Sequence, residues 1–278
     1  MKPIVQQIII SAVGVLIVVL LFQLPKFVVS DEEDVVEGTS SKRTGGSSGG
    51  SANEATFHEN ALSGADSLTL DSLKNKMDNA TDEAQKLSAA DEIVAHLIDH
   101  FQFTEITPYL EVLASGDVRW KRKAAQYAYK AFRSSGNEDM ALKARNYYSD
   151  VLKGNPQDTT AMLRNAYVSA LTDKQMPMKY IRTIKGVVSA DPDNMMALQL
   201  YGDLFAFRND FEGAAEQYRK VVRKSPDNIE AHGFLAEAYA RMDEEDSLKM
   251  HLDIIEELNN DQDEFYNELV REYRKNLK

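Results

Sequence analysis

The chain has 278 residues, a formal net charge of -12 and no cysteine. The acidic balance argues against nucleic acid as a partner, since phosphate binding needs a clustered basic face. The missing cysteines exclude disulfides, thiolate metal sites, a cysteine nucleophile and a lipidated N-terminal cysteine, while seven prolines and 43% hydrophobic residues suit stacked helices better than many short strands.

No charged residue occurs between Lys2 and Lys26, and residues 8–22 are almost wholly apolar, a length that can cross a hydrocarbon core of about 30 Å. Residues 1–27 are read as an N-terminal transmembrane anchor; a secretory signal cleaved after Ser30 is the alternative. The short tail with Lys2 and a free amine predicts an N-terminus inside and a large C-terminal domain outside the cytoplasm, periplasmic in a bacterial cell. Residues 28–62 show no hydrophobic period. They open on Asp31-Glu32-Glu33-Asp34 and become Gly/Ser-rich over residues 39–51, the composition of a disordered stem.

Residues 63–278 are expected to fold as helices. Ser67 is a candidate N-cap before Leu68, Leu70, Leu73 and Met77, and a second helix is expected over 82–101. A short return over 108–113 follows. Further pairs are expected at 118–134 with 140–151, 159–171 with 178–188, 195–207 with 211–224, and 229–242 with 247–258, closed by a polar-rich cap helix over 263–277. Pro177 is tolerable as a first-turn proline.

The strongest signal is a period of 34: Asp191-Pro192-Asp193-Asn194 recurs as Ser225-Pro226-Asp227-Asn228. Between them, Leu198, Tyr201, Gly202 and Phe205, then Phe211, Ala214, Ala215, Tyr218, Val221 and Val222, fall at helical spacing on either side of Arg208-Asn209-Asp210. With Gly202 as a close-approach position, Ala214 as the small residue opposite it, and Tyr218 and Pro226 completing the pattern, the chain resembles the tetratricopeptide repeat (TPR) family. The resemblance implies an all-α, right-handed superhelical array of helix hairpins that binds proteins in a concave groove lined by the first helix of each pair. Carried over position by position, that groove comprises Lys123, Gln126, Lys130 and Arg133, then Met196, Gln199, Asp203 and Phe207, then Glu230, Gly233, Glu237 and Arg241. It would be basic at one end and acidic at the other. The Lys and Asn clamp by which some relatives hold C-terminal carboxylates is not reproduced.

Catalytic patterns are absent: there is no phosphate loop and no nucleophile elbow. His96 and His100 stand i, i+4 with Glu92 and Asp99 nearby, but no third ligand is signalled, and both fall off the Ile93, Leu97 and Phe101 stripe. They are expected to face solvent, and no metal or cofactor is expected. Asn79-Ala80-Thr81 is a formal glycosylation sequon, read first as helix-end capping. The chain is therefore read as a non-enzymatic, membrane-anchored scaffold for envelope proteins, with homo-oligomers possible. Its rivals are an assembly factor resembling the repeat subunits of cytochrome c maturation and a weak hydrolase.

Overall fold

The computed structural model describes residues 62–173, 175–275 and 277. The expected anchor and residues 28–61 of the expected stem lie outside them. The described residues form twelve α-helices and no strand: α1 (Gly64–Asp78), α2 (Glu83–Asp99), α3 (Thr107–Ser115), α4 (Val118–Ser135), α5 (Glu138–Gly154), α6 (Thr159–Thr172), α7 (Pro177–Ala190), α8 (Met195–Phe207), α9 (Phe211–Lys224), α10 (Ile229–Arg241), α11 (Glu245–Asn259) and α12 (Glu264–Lys275). None of them is long and apolar enough to cross a membrane.

The recurring turn explains the period. Asp158, Asn194 and Asn228 each accept a hydrogen bond at 2.9 Å from the backbone N–H three residues on, at Ala161, Ala197 and Ala231. These caps satisfy donors that the first helical turn leaves open. The cap's own N–H donates back to the carbonyl of Asn155, Asp191 or Ser225, at 3.2, 3.2 and 3.1 Å. Pro156, Pro192 and Pro226 occupy the turn between, where no N–H is needed. The same four residues thus end one hairpin and start the next.

The bend within a hairpin repeats as well. Asn209 and Asp243 take left-handed backbone angles, φ 59° and 57°, which short polar side chains tolerate best after glycine. Asp210 N–H and Glu244 N–H then reach the carbonyls of Phe205 and Tyr239, both at 2.9 Å. Gly136, φ 68°, makes the left-handed step after α4.

One buried cluster runs from Leu70 to Leu204 and another from Ala214 to Tyr273. The first helices of successive pairs lie side by side, α2 on α4 and α6 on α8. Ala124, Ala125, Ala128 and Ala131 are completely buried, which lets the neighbours of α4 approach closely. The terminal helix α12 buries Tyr266, Leu269, Val270 and Tyr273 and pairs Arg274 with Asp253 and Glu256 of α11, both at 2.7 Å.

Three expectations are corrected. The first helix starts four residues early: Ser63 accepts from Asp66 N–H at 3.3 Å, and Leu68, the supposed start of an apolar stripe, is 71% exposed. The close approach at Gly202 is to a ring and not to Ala214, because a Cβ there would stand 2.6 Å from Cε1 of Tyr218. The histidines are half-exposed but not free in solvent: His96 Nε2 lies 3.0 Å from the Asp66 carbonyl and His100 Nε2 3.2 Å from Asp66 Oδ1, so both hold the start of α1. Among the described residues no group of three or more potential metal ligands occurs. Asn79 caps α1, its amide donating to the Asn75 carbonyl at 2.8 Å.

Candidate functional site

The first helices α4, α6, α8 and α10 bring some of the candidate groove residues, Arg133, Gln199, Asp203, Glu230, Glu237 and Arg241, together in one charged network. Arg133 at the end of α4 donates to Asp203 Oδ2 of α8 at 2.6 Å and, on the way, to the Tyr167 hydroxyl of α6 at 2.9 Å. A side chain of α4 that reaches α8 past α6 requires the shared face to curve inward. Asp203 is buried, and its second oxygen accepts from the Tyr218 hydroxyl at 2.8 Å. Burial alone would pull the Arg133 pKa down, but Tyr167, Asp203, Tyr129 and Glu230 around it hold it well above its ordinary value. It stays charged and bridges three first helices.

Beyond this bridge, α10 presents the acidic part of the face. Burial, reinforced by Asp203, pushes the Glu230 carboxyl up to about 7 against the pull of Arg133 and a hydrogen bond from Gln199. Glu237 is likewise pushed up to about 7, by burial first and then by Asp203, with Arg241 opposing. Both side chains keep part of their surface open to solvent, as carboxylates on a concave wall would. Between them, three residues after one and four before the other, sits Gly233, where an added Cβ would meet no atom within 4 Å. By helical spacing the three share one face, so Gly233 leaves a notch flanked by two carboxyls.

The basic end differs from expectation. Lys123 pairs with Asp91 at 2.6 Å and Lys130 with Asp99 at 3.7 Å, both acids of α2. Because α2 packs beside α4, these lysines are largely neutralised, and that end of the face is not a free basic surface. Gln126 and Met196 are half-buried, Phe207 is 66% exposed, and Arg241 lies over the Phe211 ring at 4.5 Å.

Sequence reasoning missed Tyr129, Arg164 and Tyr167, and named Tyr218 as a residue of the repeat pattern without its bond to Asp203. Arg164 lies 5.4 Å from the Tyr129 ring centre and donates to Tyr148 at 3.3 Å, and Tyr129 meets Tyr167 edge-on at 6.3 Å. The period could have pointed to one of them, since Tyr167 stands 34 residues after Arg133. No cofactor is implied by this set of side chains.

Residues 202–243, from the close-approach glycine to the left-handed turn at Asp243, match the family model for the TPR repeat. No curated protein matches the chain. Among solved structures it is similar to MamA, residues 41 to the end, from Desulfovibrio magneticus RS-1, with 23% identity over 64% of this chain and 97% of that one and a TM-score of 0.41. It is also similar to YrrB, described as a TPR protein with an unusual peptide-binding site, with 13% identity over 74% and 96% of the two chains and a TM-score of 0.40. The TPR domain of P58(IPK) shows 16% identity over 76% of this chain and 74% of that one, with a TM-score of 0.32.

Proposed function

We propose that this chain, a tetratricopeptide repeat protein, is a membrane-anchored scaffold that acts by binding and not by turnover, its concave face holding an envelope protein partner. One observation carries the reading of the face: the half-buried Glu230 and Glu237 flank Gly233 on one face of α10, and at that buried glycine an added Cβ would meet no atom within 4 Å. That chemistry favours a basic side chain from an extended segment or helix of the partner. The anchor is supported by the charge-free run between Lys2 and Lys26, and residues 28–62 would then let the array search a shell near the membrane.

The test uses the full chain in its native membranes. It should stay with the membrane fraction through an alkaline wash, and a partner cross-linked to the wild type should be lost from Gly233→Leu. Gly233 is buried and has room for at least a Cβ, so leucine there gains helix propensity while taking up the space at the face; a melting curve no lower than the wild type's shows that a lost cross-link does not come from unfolding. Release of the array with a new N-terminus at Asp31 would refute the anchor, and a full cross-link in Gly233→Leu would refute the groove.

A further inference from the structure

Among helices α2 to α12, α7 is unusual in burying only one side chain, Ile184. Where it meets α8 a cleft of about 210 Å³ opens, lined by Met178 and Ile181 of α7 and by Tyr201, Leu204 and Phe205 of α8. That is below the ~300 to 1,000 Å³ of a small-molecule pocket, so it suits one or two apolar side chains and not a cofactor. Met178 stands 48% exposed at its edge, and methionine adapts readily to an incoming apolar group.

The remaining lining is cationic: Arg182 and Lys185, one turn apart on α7, and Arg208 at the end of α8. Elsewhere in the array several cations reach acids of other elements, as Lys123 reaches Asp91 of α2, Lys224 reaches Asp193 in the turn before α8 and Arg274 reaches Asp253 of α11. Among the described residues these three have no ion pair. The acids felt at Tyr201, Asp210 and Glu216, are engaged already, Asp210 by Gly213 N–H at 2.9 Å and Glu216 by Lys220 at 2.8 Å. Other described cations, Arg145 and Arg223 among them, also lie outside the ion pairs, so the observation that carries weight is that Arg182, Lys185 and Arg208 gather around one apolar cleft in a chain of net charge -12.

We propose that the α7–α8 cleft is a second docking site, separate from the concave face, and that its occupant is an acidic peptide segment of a partner protein. The segment sets an apolar side chain between α7 and α8, and a neighbouring carboxylate meets Arg182, Lys185 or Arg208. A purely acidic ligand leaves the apolar floor uncovered; a purely apolar one leaves the cations without counter-charge.

The probe is a short fluorescein-labelled peptide of alternating glutamate and phenylalanine, titrated by anisotropy against the full chain in detergent. Arg182→Glu with Lys185→Glu reverses two exposed charges, so the thermal melt should not move, and binding should weaken by about tenfold. Met178→Ser should also weaken it, and raising the salt should reduce binding without abolishing it. Equal binding by the double variant overturns the proposal, as does equal binding of a probe with serine in place of phenylalanine. Anionic phosphatidylserine vesicles are the second arm: vesicle binding lost in the double variant, with peptide binding intact, assigns the cleft to lipid and overturns the peptide reading. A chain beginning near Asn53 keeps every side chain of the core, which starts at Leu70. If that chain binds the probe and the full chain does not, the occupant is the protein's own acidic segment and not a partner.

Discussion

Arg133 and Asp203 stand seventy residues apart in the chain and meet at 2.6 Å, tying the end of α4 to the middle of α8. Stacked repeats ordinarily depend on nearest-neighbour interfaces; this contact passes over α6, taking in Tyr167 on the way. It therefore fixes the curvature of the face in addition to joining two helices.

Removing one partner should be more damaging than removing the charge from both. Arg133→Met leaves the buried Asp203 carboxylate with only the Tyr218 hydroxyl and should lower stability by about 3 kcal/mol in urea unfolding. Adding Asp203→Asn removes the orphaned charge and keeps an acceptor for Tyr218, so roughly half of the loss should return. Additive losses in the double variant would show that the two residues do not act as a pair.

Gly202→Ala sets two effects against each other. Alanine gains about 1 kcal/mol in helix propensity, but its Cβ would come within 2.6 Å of the Tyr218 ring. That ring cannot retreat easily, being stacked on Phe234 at 5.1 Å and hydrogen-bonded to Asp203 at 2.8 Å. Overpacking costs ~1 to 3 kcal/mol, so the melting temperature should fall. A rise would mean that the ring yields. Combining Gly202→Ala with Tyr218→Leu should give less than the sum of the two single losses.

What was legible in the sequence was what repeats. The spacing of Pro192 and Pro226 located the hairpins, because each proline sits in a turn whose cap and carbonyl are set by residues next to it. Contacts made across repeats were not legible. Nothing local to Arg133 indicates Asp203, since their meeting depends on how far the array curves. Lys123 and Lys130 read as a basic face until α2 is seen to lie beside α4 with Asp91 and Asp99. Gly202 was correctly singled out as a close approach, but a glycine does not say whether an alanine or a tyrosine ring fills the space.

The buried pair His232 and His251 should make the C-terminal repeat acid-sensitive. Their Nδ1 atoms lie 2.8 Å apart and His232 Nε2 is 3.0 Å from the Pro226 carbonyl, an arrangement that needs one proton between the two Nδ1 atoms. Burial and then the charge of His232 push His251 down to about 4, and burial lowers His232 as well. A depressed histidine contributes stability above its unfolded value of about 6.5, which is lost as pH falls through the folded value. His251→Phe keeps the stack on Tyr239, now at 5.5 Å. The variant should lose less stability than the wild type between pH 7 and pH 4.5, measured by urea midpoints.

Reversing Lys123 and Lys130 to glutamate should now have a structural effect as well as any effect on a partner. Each faces an acid of α2, so reversal turns attraction into repulsion at the α2–α4 contact. Pairs this exposed are worth up to about 1 kcal/mol each, and the loss should shrink in high salt. A stability change that ignores salt would point to lost packing of the lysine stems instead.

Glu230 and Glu237 should give the array the opposite pH dependence from the histidines, and link it to binding. Their folded values near 7 lie above the ordinary glutamate value, so their contribution to stability is full below about 4.5 and is lost as pH rises through about 7. Wild-type urea midpoints should therefore fall between pH 5 and pH 8 relative to Glu230→Gln with Glu237→Gln, in which neither side chain titrates. A basic side chain entering the notch at Gly233 would reverse the trend locally, because it favours the ionised carboxylates. Titration calorimetry of the recovered partner in two buffers of different ionisation enthalpy should then show protons released on binding at pH 6.5, and affinity rising toward pH 8. Proton uptake, or the same affinity at both pH values, would mean that no cation meets these two carboxyls, whatever else the concave face holds.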